Sequence, residues 1–428
     1  MIGLVKDRIQ AFRLSIRHLN RINPNVMVFV VYGMLYDMML NLHNPFVAKF
    51  LERLGGGSMS ISLINSLPGL LAIFVLLPGL FIVRRFRSKK KITAIFIFFS
   101  RLFLLFIAFI PALPPLLRPA LFILFFSLMN IPHSVSQSAL QSFLGTIFDG
   151  RMRSTAISMR TKFGNIIIPV TILITGSIIG AVPDAHKLLT YQIFFMLAFV
   201  VGCFETYIFL RFKEPSVDLE ESEITPVKET LSLLSGVMRD KTFLAFLVPI
   251  ILFYYTWHSG WALGSIYFIM VLEANEFWIG IFLVAAGVSS FFTSGLWNRL
   301  IQRSGNDFTI IVCAVGIMLN MFLYVLCKNV YAMTICQLFS GSVSTGLNIA
   351  LLNGLLAATP DKNRMLYIGV YNTFLNISLA VAPLVTQLFI SRTGVVNTIL
   401  LVGVMRLCML VPIIMYVRKR MKNVKTEA

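Results

Sequence analysis

Long uninterrupted runs of apolar residues limit the fold of this chain more than any other feature. Twelve such runs, each of about twenty or more residues, occupy most of the 428-residue sequence. A run of roughly 18 apolar residues can cross the hydrocarbon core of a bilayer as a helix. In lipid only helices and closed barrels satisfy the backbone, and barrel strands alternate apolar with polar residues. The continuous runs therefore predict an all-α integral membrane protein.

The positions of these runs also predict the domain organisation. The stretch 212–241 is the only long polar segment between two runs, and it separates six runs from six. We predict a basic N-terminal segment (1–24), a six-helix bundle (25–211), a cytoplasmic linker (212–241), a second six-helix bundle (242–417) and a basic tail (418–428). The predicted spans are 25–50, 58–83, 92–114, 117–147, 155–181, 188–211, 242–271, 277–298, 308–327, 330–357, 365–390 and 396–417.

The net charge of +19 could indicate a nucleic-acid partner, but the basic residues are distributed as a topology signal. With the N-terminus in the cytoplasm, 27 of the 37 Lys and Arg residues lie on the cytoplasmic side and 6 lie in outer loops. Cytoplasmic loops of membrane proteins carry this excess. We predict cytoplasmic termini, anionic lipid headgroups as neighbours and no nucleic-acid partner.

No motif for catalysis or metal binding accompanies the spans. The sequence has no P-loop, no His-Glu-x-x-His and no Gly-x-Ser-x-Gly, and its five cysteines form no Cys-x-x-Cys pair. We predict that the protein is not an enzyme and needs no cofactor or metal. The outer loops are short, and the one Asn-x-Ser/Thr site, at Asn376, lies inside a span. We therefore predict a bacterial cytoplasmic membrane.

Two short sequence matches indicate that the chain contains a duplicated unit. Residues 79–93, GLFIVRRFRSKKKIT, and residues 295–309, GLWNRLIQRSGNDFT, share five identities at an offset of 216. Residues 153–166 and 364–377 share five more identities at an offset of 211. Because the matches keep the same order at nearly the same offset, we predict that the two six-helix bundles are repeats of one another.

The first of these matches resembles the signature loop of the major facilitator superfamily, Gly-x-Leu-Ala-Asp-Arg-x-Gly-Arg-Arg. Gly79 and Gly295 match its leading glycine, and Arg87 and Arg303 match a late arginine. In the family, the Asp of this pattern helps to hold the cytoplasmic side closed. Because this chain has no acidic residue at that position, we assign the role to none of its residues. The positions that depart from the pattern are Val83, Phe86, Arg299 and Gln302.

The resemblance extends to the whole chain through its twelve spans, its linker and its repeat. It implies two pseudo-symmetric bundles, alternating access, and a central cavity lined by the first, fourth, seventh and tenth spans. We therefore predict a monomeric transporter of a small organic or amphiphilic solute, coupled to protons. Two alternatives stay open, namely a lipid or lysolipid flippase of the same fold and a membrane sensor or partner subunit that transports nothing.

Charged residues inside spans are the first candidates for a site, because a charge at the bilayer centre costs roughly 2.5–3.5 kcal/mol on insertion scales. Asp37 lies near the midplane, with Asn41 and Asn44 expected on the same helix face. This face either binds substrate or protons, or forms a packed seam paired to an arginine. Arg406 lies deep in the last span. It either reaches Asp37, hydrogen-bonds backbone carbonyls or awaits an anionic group.

Four further charged residues within spans are predicted to form a structural network. Glu205 lies near the cytoplasmic end of its span, and Arg160 and Lys162 lie at a similar depth in the fifth span. We therefore expect a salt bridge from Glu205 to one of these two bases. Arg101 is assigned to the same network.

Polar stripes mark the fourth and tenth spans, where polar residues step by three or four positions. Such stripes either line a cavity or join neighbouring helices through hydrogen bonds. Because Gln137 and Asn348 correspond in the duplication, we favour a shared cavity. The members are His133, Gln137 and Gln141 in the fourth span and Gln337, Ser340, Ser344 and Asn348 in the tenth.

Aromatic residues crowd one face of the seventh span, at positions i, i+3, i+4 and i+7. Tyr254, Trp257, His258 and Trp261 form this face. It could stack an aromatic ligand or hold a cation over a ring. Trp261 could instead belong to the belt of aromatic residues at the outer interface.

Overall fold

The computed structural model of the protein describes residues 23–85, 88–148, 150–214, 235–360 and 364–427. These ranges are almost entirely helical and contain no strand. Eleven helical segments are long and apolar enough to cross a membrane. A twelfth helix runs from Ser58 to Arg85 and is apolar from Ser58 to Phe74. The predicted all-α membrane fold is therefore confirmed.

The helices follow the predicted spans in order, and the principal ones are numbered α1 to α12. Between α1 and α2 lie a 3₁₀ turn (Asn44–Phe46) and a short helix (Val47–Arg53), and a π-helical turn (Tyr267–Val271) follows α7. The principal helices are α1 (Asn25–Asn41), α2 (Ser58–Arg85), α3 (Lys89–Ala108), α4 (Arg118–Ile147), α5 (Gly150–Ala181), α6 (Asp184–Leu210), α7 (Lys241–Ile266), α8 (Glu276–Ser304), α9 (Asn306–Leu326), α10 (Val330–Ala358), α11 (Arg364–Thr393) and α12 (Val395–Glu427).

Side-chain caps fix where several of these helices begin. The first N–H groups of a helix have no partner within the helix, and a preceding Ser, Asp or Asn side chain can accept from them. The helices α3, α7, α8 and α10 begin in this way, after Ser88, Asp240, Asn275 and Asn329. The end of α8 is also defined by sequence, because Gly305 has φ of 86°, a conformation that favours glycine.

The described residues form two compact units. The first unit contains residues 23–45, 74–175 and 182–214, and the second contains residues 46–73, 176–181 and 235–427, apart from the gaps given above. Two segments from the first half of the sequence therefore belong to the second unit. Most of the predicted N-terminal segment and of the predicted linker lies outside the described residues, and the predicted domain limits stay a prediction.

Helix packing repeats from one unit to the other. In the first unit α3 packs against α4 and α6, and α6 also packs against α1. In the second unit α9 packs against α10 and α12, and α12 also packs against α7. These three contacts thus recur between the helices six places further along the chain. A duplicated six-helix unit produces this pattern.

Aromatic clusters fill the interior of each unit. In the first unit Phe143, Phe209 and Phe212 are buried, with ring centroids 5.3–5.7 Å apart. In the second unit the Phe243 ring meets the Tyr367 ring edge-on at 4.9 Å. Edge-on aromatic pairs contribute about 0.5–1.5 kcal/mol beyond the burial of their area. They hold the helices that position the polar groups described below.

Polar contacts inside the second unit join segments that are distant in sequence. Arg53 forms an ion pair with the buried Glu276 in the first turn of α8. Ser62 on α2 donates a hydrogen bond to Gln387 on α11 at 3.2 Å, and the Gln387 amide donates to Ser58 at 2.9 Å. These pairs hold the start of α2 and the short helix before it against α8 and α11.

Candidate functional site

An ion pair between α1 and α5 forms the polar centre of the first unit. Arg160 Nη2 donates a hydrogen bond to Asp37 Oδ1 at 2.8 Å. The Asp37 side chain is only 11% exposed, whereas the Arg160 side chain is 30% exposed. The Arg160 side chain is therefore partly exposed, while the Asp37 side chain stays largely covered. This pairing matches one of the two interpretations of Asp37, a carboxylate paired to an arginine, without deciding its role.

Two glycines make room for this pair. A Cβ atom at Gly33 would overlap the Arg160 side chain, and a Cβ atom at Gly164 would lie 2.6 Å from Asp37 Oδ2. Both distances are shorter than side-chain atoms tolerate, so a larger residue would move the charged groups. Glycine at these positions lets α1 and α5 approach closely enough for the carboxylate to meet the guanidinium.

A second ion pair, between α3 and α6, is fully buried. Arg101 Nε and Nη2 donate to the two carboxylate oxygens of Glu205 at 2.9 and 3.0 Å. The predicted salt bridge of Glu205 exists, but its partner is Arg101 rather than Arg160 or Lys162. Lys162 is exposed and forms no ion pair with another described residue. Helix α6 packs against α3, which decides the partner.

Tyr36 connects the two ion pairs. The guanidinium carbons of Arg101 and Arg160 each lie 5.7 Å from the centre of its ring. The His133 ring on α4 stacks on the same residue at 6.1 Å, with 5° between the planes. Cations within about 6 Å of a ring are attracted to its face. Sequence reasoning missed Tyr36, although its place directly before Asp37 and four residues after Tyr32 was a usable signal.

Two polar atoms around this cluster have no hydrogen-bond partner among the described residues. They are Tyr32 Oη and His133 Nδ1, and both are buried. Arg160 likewise makes a single hydrogen bond to a described residue, the one to Asp37. Buried polar atoms in proteins nearly always have a partner, which can be a ligand or ordered water. The cluster therefore has unused capacity to bind a polar group.

The rest of the predicted polar face of α1 is divided. Asn41 donates from Nδ2 to the backbone carbonyl of Asp37 at 2.7 Å, so it supports the helix locally. Asn44 is exposed and lies in the 3₁₀ turn, not on the α1 face, so that part of the prediction is wrong. The reason is Pro45, since a residue before proline is disfavoured in a helix.

The polar stripe of α4 contributes one residue to the cluster. His133 stacks on Tyr36, whereas Gln137 is partly buried without a contact to the two ion pairs, and Gln141 is exposed. In the second unit the stripe of α10 is also divided. Gln337 is buried, and Ser340 accepts a hydrogen bond from Asn320 on α9 at 3.1 Å, which joins two helices. The remaining members are Ser344, partly buried, and Asn348, exposed.

The aromatic face of α7 is present in the second unit. The Tyr254 and Trp257 rings stack at 5.3 Å, and both residues are buried. His258 Nδ1 lies 2.9 Å from Ser378 Oγ on α11, and its ring meets that of Trp261 at 4.9 Å. Trp261 is exposed, as expected of a residue outside the packed interior. Whether this face binds a ligand stays a prediction.

Arg406 is held by backbone carbonyls. Its Nη1 donates to Ile317 on α9 at 2.7 Å, and its Nε and Nη2 donate to Thr256 on α7 at 3.2 and 3.1 Å. The residue is 1% exposed. Of the three interpretations of Arg406, the structure supports hydrogen bonding to carbonyls, because Asp37 is bound to Arg160 and the Arg406 donors are occupied.

The segments that carry the predicted signature loops are mostly helical where the structure describes them, with Ser88 and Gly305 as non-helical residues. Gly79 lies within α2, and Arg87 lies outside the described residues. Gly295 and Arg303 are exposed residues of α8, which continues to Ser304. A loop was expected there because the apolar run ends at 298. The helix continues past the apolar run because polar helical turns are tolerated outside the hydrocarbon core.

Among the described residues no group of three or more His, Cys, Asp or Glu could hold a metal ion.

A protein-family model matches most of the chain. The family model described as Major Facilitator Superfamily matches residues 29–325 and 260–428. No curated protein sequence matches the chain.

Three solved structures with a similar fold are distant in sequence. A mutant of the nucleoside transporter NupG has a TM-score of 0.70 at 12% identity, over 91% of this chain and 99% of that one. A POT family transporter in complex with 5-aminolevulinic acid has a TM-score of 0.69 at 12% identity, over 93% and 96%. A bacterial homologue of the human lysosomal transporter Spinster has a TM-score of 0.66 at 9% identity, over 93% and 97%.

Proposed function

Because the chain belongs to the major facilitator superfamily, a family of membrane transporters, we propose that it moves a small organic solute by alternating access with protons as the coupling ion. We place solute and proton binding at the Asp37–Arg160 pair. The two bundles rock around such a site in this class of transporter. The solved neighbours support the scope of the proposal, since they include a nucleoside transporter and a POT family transporter in complex with 5-aminolevulinic acid.

The observation that carries the proposal is the difference in exposure between the two ion pairs. The Arg101–Glu205 pair is buried and bonded through both carboxylate oxygens, which suits a structural role. The Asp37–Arg160 pair has one hydrogen bond and a partly exposed guanidinium. A carboxylate that takes up a proton loses its attraction to the guanidinium. Protonation of Asp37 would therefore free Arg160 and change what the site can bind.

The test is solute flux in proteoliposomes. The reconstituted protein is given an inward proton gradient and a panel of labelled solutes that includes nucleosides and amino acids. We expect accumulation of at least one solute above empty liposomes, and its loss when the gradient is collapsed. Asp37→Asn should abolish gradient-driven accumulation, whereas Lys162→Gln on the exposed face of α5 should behave like the original chain. Equal accumulation by Asp37→Asn would remove Asp37 from the coupling step.

Topology and assembly belong to the same proposal. The excess of basic residues supports cytoplasmic termini and a cytoplasmic linker, with anionic lipids nearby. We further propose a bacterial inner membrane and a monomeric protein. A reporter that is active only in the cytoplasm, fused after residue 428, should be active. Activity of a periplasmic reporter at the same position would contradict the proposed orientation.

A further inference from the structure

We propose that the transported solute is an organic anion with a single negative charge, and that one proton travels with each anion because the anion replaces Asp37 at Arg160 and Asp37 takes up a proton. This inference rests on the proposed transport function and names the substrate class of the same site. It follows from the charges and free donors around the Asp37–Arg160 pair.

The first step concerns the charge of the first unit. Its interior contains two bases, Arg101 and Arg160, and two acids, Asp37 and Glu205, so the described charges balance. Arg101 and Glu205 satisfy each other through two hydrogen bonds and leave no capacity for a solute. Of the two arginines in this cluster, Arg160 is therefore the one that can take a new anionic partner.

The second step concerns the donors of Arg160. Its guanidinium makes one hydrogen bond to a described residue, from Nη2 to Asp37, and Nη1 has no partner among the described residues. A guanidinium binds a carboxylate through two parallel hydrogen bonds, which fixes the orientation of the bound group. The 30% exposure of the side chain gives a solute access to these donors.

The third step concerns the surroundings of the anionic group. The Tyr36 ring lies beside Arg160, the His133 ring stacks on Tyr36, and the two rings offer an apolar surface to the organic part of a solute. The buried His133 Nδ1 and Tyr32 Oη have no partner among the described residues and could each bond a polar atom. The combination suits a small organic acid better than an inorganic ion.

The fourth step explains the proton. The charged and titratable groups around Asp37 are Arg160 on α5, Arg101 on α3, Glu205 on α6, His133 on α4 and Tyr36 on α1. An anion bound to Arg160 beside an ionised Asp37 would put two negative charges on one guanidinium. Like charges in a low-dielectric site favour protonation of one of them.

Asp37 is the acid that takes this proton, because both oxygens of Glu205 are held by Arg101. In the empty site, the Asp37 carboxylate neutralises Arg160. In the loaded site, the anion neutralises Arg160 and Asp37 carries the proton. Both states have the same net charge, so neither leaves an unpaired charge inside the membrane. The proton enters and leaves with the anion on the same side.

The test measures binding and proton uptake by the purified full chain in detergent. The probes are acetate, hexanoate and benzoate, each compared with its neutral amide, and benzylamine as a cation. We expect a carboxylate to raise the unfolding temperature, as a ligand of the folded state does, and its amide and benzylamine to have little effect. In weak buffer near neutral pH, a pH indicator should report about one proton taken up for each bound carboxylate, as charge balance requires.

Three variants separate the roles. Arg160→Gln should weaken carboxylate binding by roughly tenfold or more, the loss expected for a charge-assisted contact. Asp37→Asn should bind the carboxylate without proton uptake. Lys162→Gln removes a positive charge two residues from Arg160 and should match the original chain. If Arg160→Gln does not fold, Arg160→Lys keeps the positive charge but lacks the planar guanidinium with its parallel N–H donors. This variant should also bind the carboxylate more weakly than the original chain.

The outcomes also separate this inference from the proposed function. It is overturned if no carboxylate stabilises the protein more than its amide, if benzylamine stabilises it as well as benzoate, or if binding proceeds without proton uptake. Gradient-driven flux of a neutral or cationic solute in proteoliposomes would overturn the anionic substrate class and leave the transport proposal intact.

Discussion

Arg101 in the first unit and Arg406 in the second are both fully buried, but they are held in different ways. In the first unit Arg101 and Arg160 each pair with a carboxylate, and in the second unit Arg406 donates to the carbonyls of Ile317 and Thr256. A carboxylate can gain a proton and release its partner, whereas a peptide carbonyl cannot do so near neutral pH. The Asp37–Arg160 pair can therefore change with protonation, whereas Arg406 is a fixed cross-link among α7, α9 and α12.

The strongest test of this comparison removes the acid of the buried pair. Glu205→Ala leaves the Arg101 charge buried without its partner, and breaking such a pair typically costs about 3–5 kcal/mol. Equilibrium unfolding in mixed micelles should show a loss of this size. The double variant Arg101→Met with Glu205→Met should recover much of the stability, because no charge is then stranded. A double variant as unstable as the single one would argue that packing rather than charge dominates.

A smaller loss is expected at Arg406. Arg406→Met removes the cation together with its hydrogen bonds, so it strands acceptors but no charge. Carbonyls left without this donor should cost about 1–3 kcal/mol in total. Unfolding under the same conditions as for Glu205→Ala measures the difference directly. A cost equal to or greater than that of Glu205→Ala would contradict the view that Arg406 has no ionic partner.

The next test displaces Asp37 without removing it. Gly164→Ala places a Cβ atom 2.6 Å from Asp37 Oδ2, so the carboxylate must turn away from Arg160. We expect apparent affinity for the solute to change by about tenfold, the value of one charge-assisted hydrogen bond. Gly287→Ala on α8 is the matched control, since its Cβ would meet nothing within 4 Å. Equal effects of the two variants would indicate a general helix effect.

The smallest effect is expected in the aromatic face of the second unit. Ser378→Ala removes the partner of His258 Nδ1 and should cost about 1 kcal/mol of stability, as for a neutral hydrogen bond. The proton dependence of flux should not change, because Asp37 and Arg160 lie in the other unit. An altered proton dependence in Ser378→Ala would show that His258 takes part in coupling, and the comparison between the units would fail.

Most of the fold could be predicted from the sequence because lipid restricts the possibilities. Continuous apolar runs leave few alternatives to spanning helices, and the two internal matches indicated the repeat. Helix ends were less predictable, since periodicity does not reveal that Pro45 ends the face of Asn41 or that α8 continues through Arg303.

The sequence identified the charged residues of the site, but it did not show which of them form pairs. Asp37, Arg160, Arg101 and Glu205 stand out because charge is rare inside spans. Helical spacing shows which face a residue occupies but not which helix lies opposite, so the partner of Glu205 was assigned wrongly. Glu205 bonds a residue 104 positions away, and Arg160 one 123 positions away. Tyr36 was missed because an aromatic residue in an apolar span attracts no attention until its neighbours are known.

The contacts of Ser58 and Ser62 with Gln387 have a consequence for how the protein is made. The two sides of these hydrogen bonds are 329 and 325 residues apart, so α2 leaves the ribosome long before its partner on α11 has been synthesised. Polar side chains in the hydrocarbon region need partners. During biogenesis, residues 46–73 therefore lack their hydrogen-bond partner Gln387 until α11 has been synthesised. In a chain released before α11 is made, the Ser58 and Ser62 side chains would lack this partner, and membrane quality control would act on such a chain.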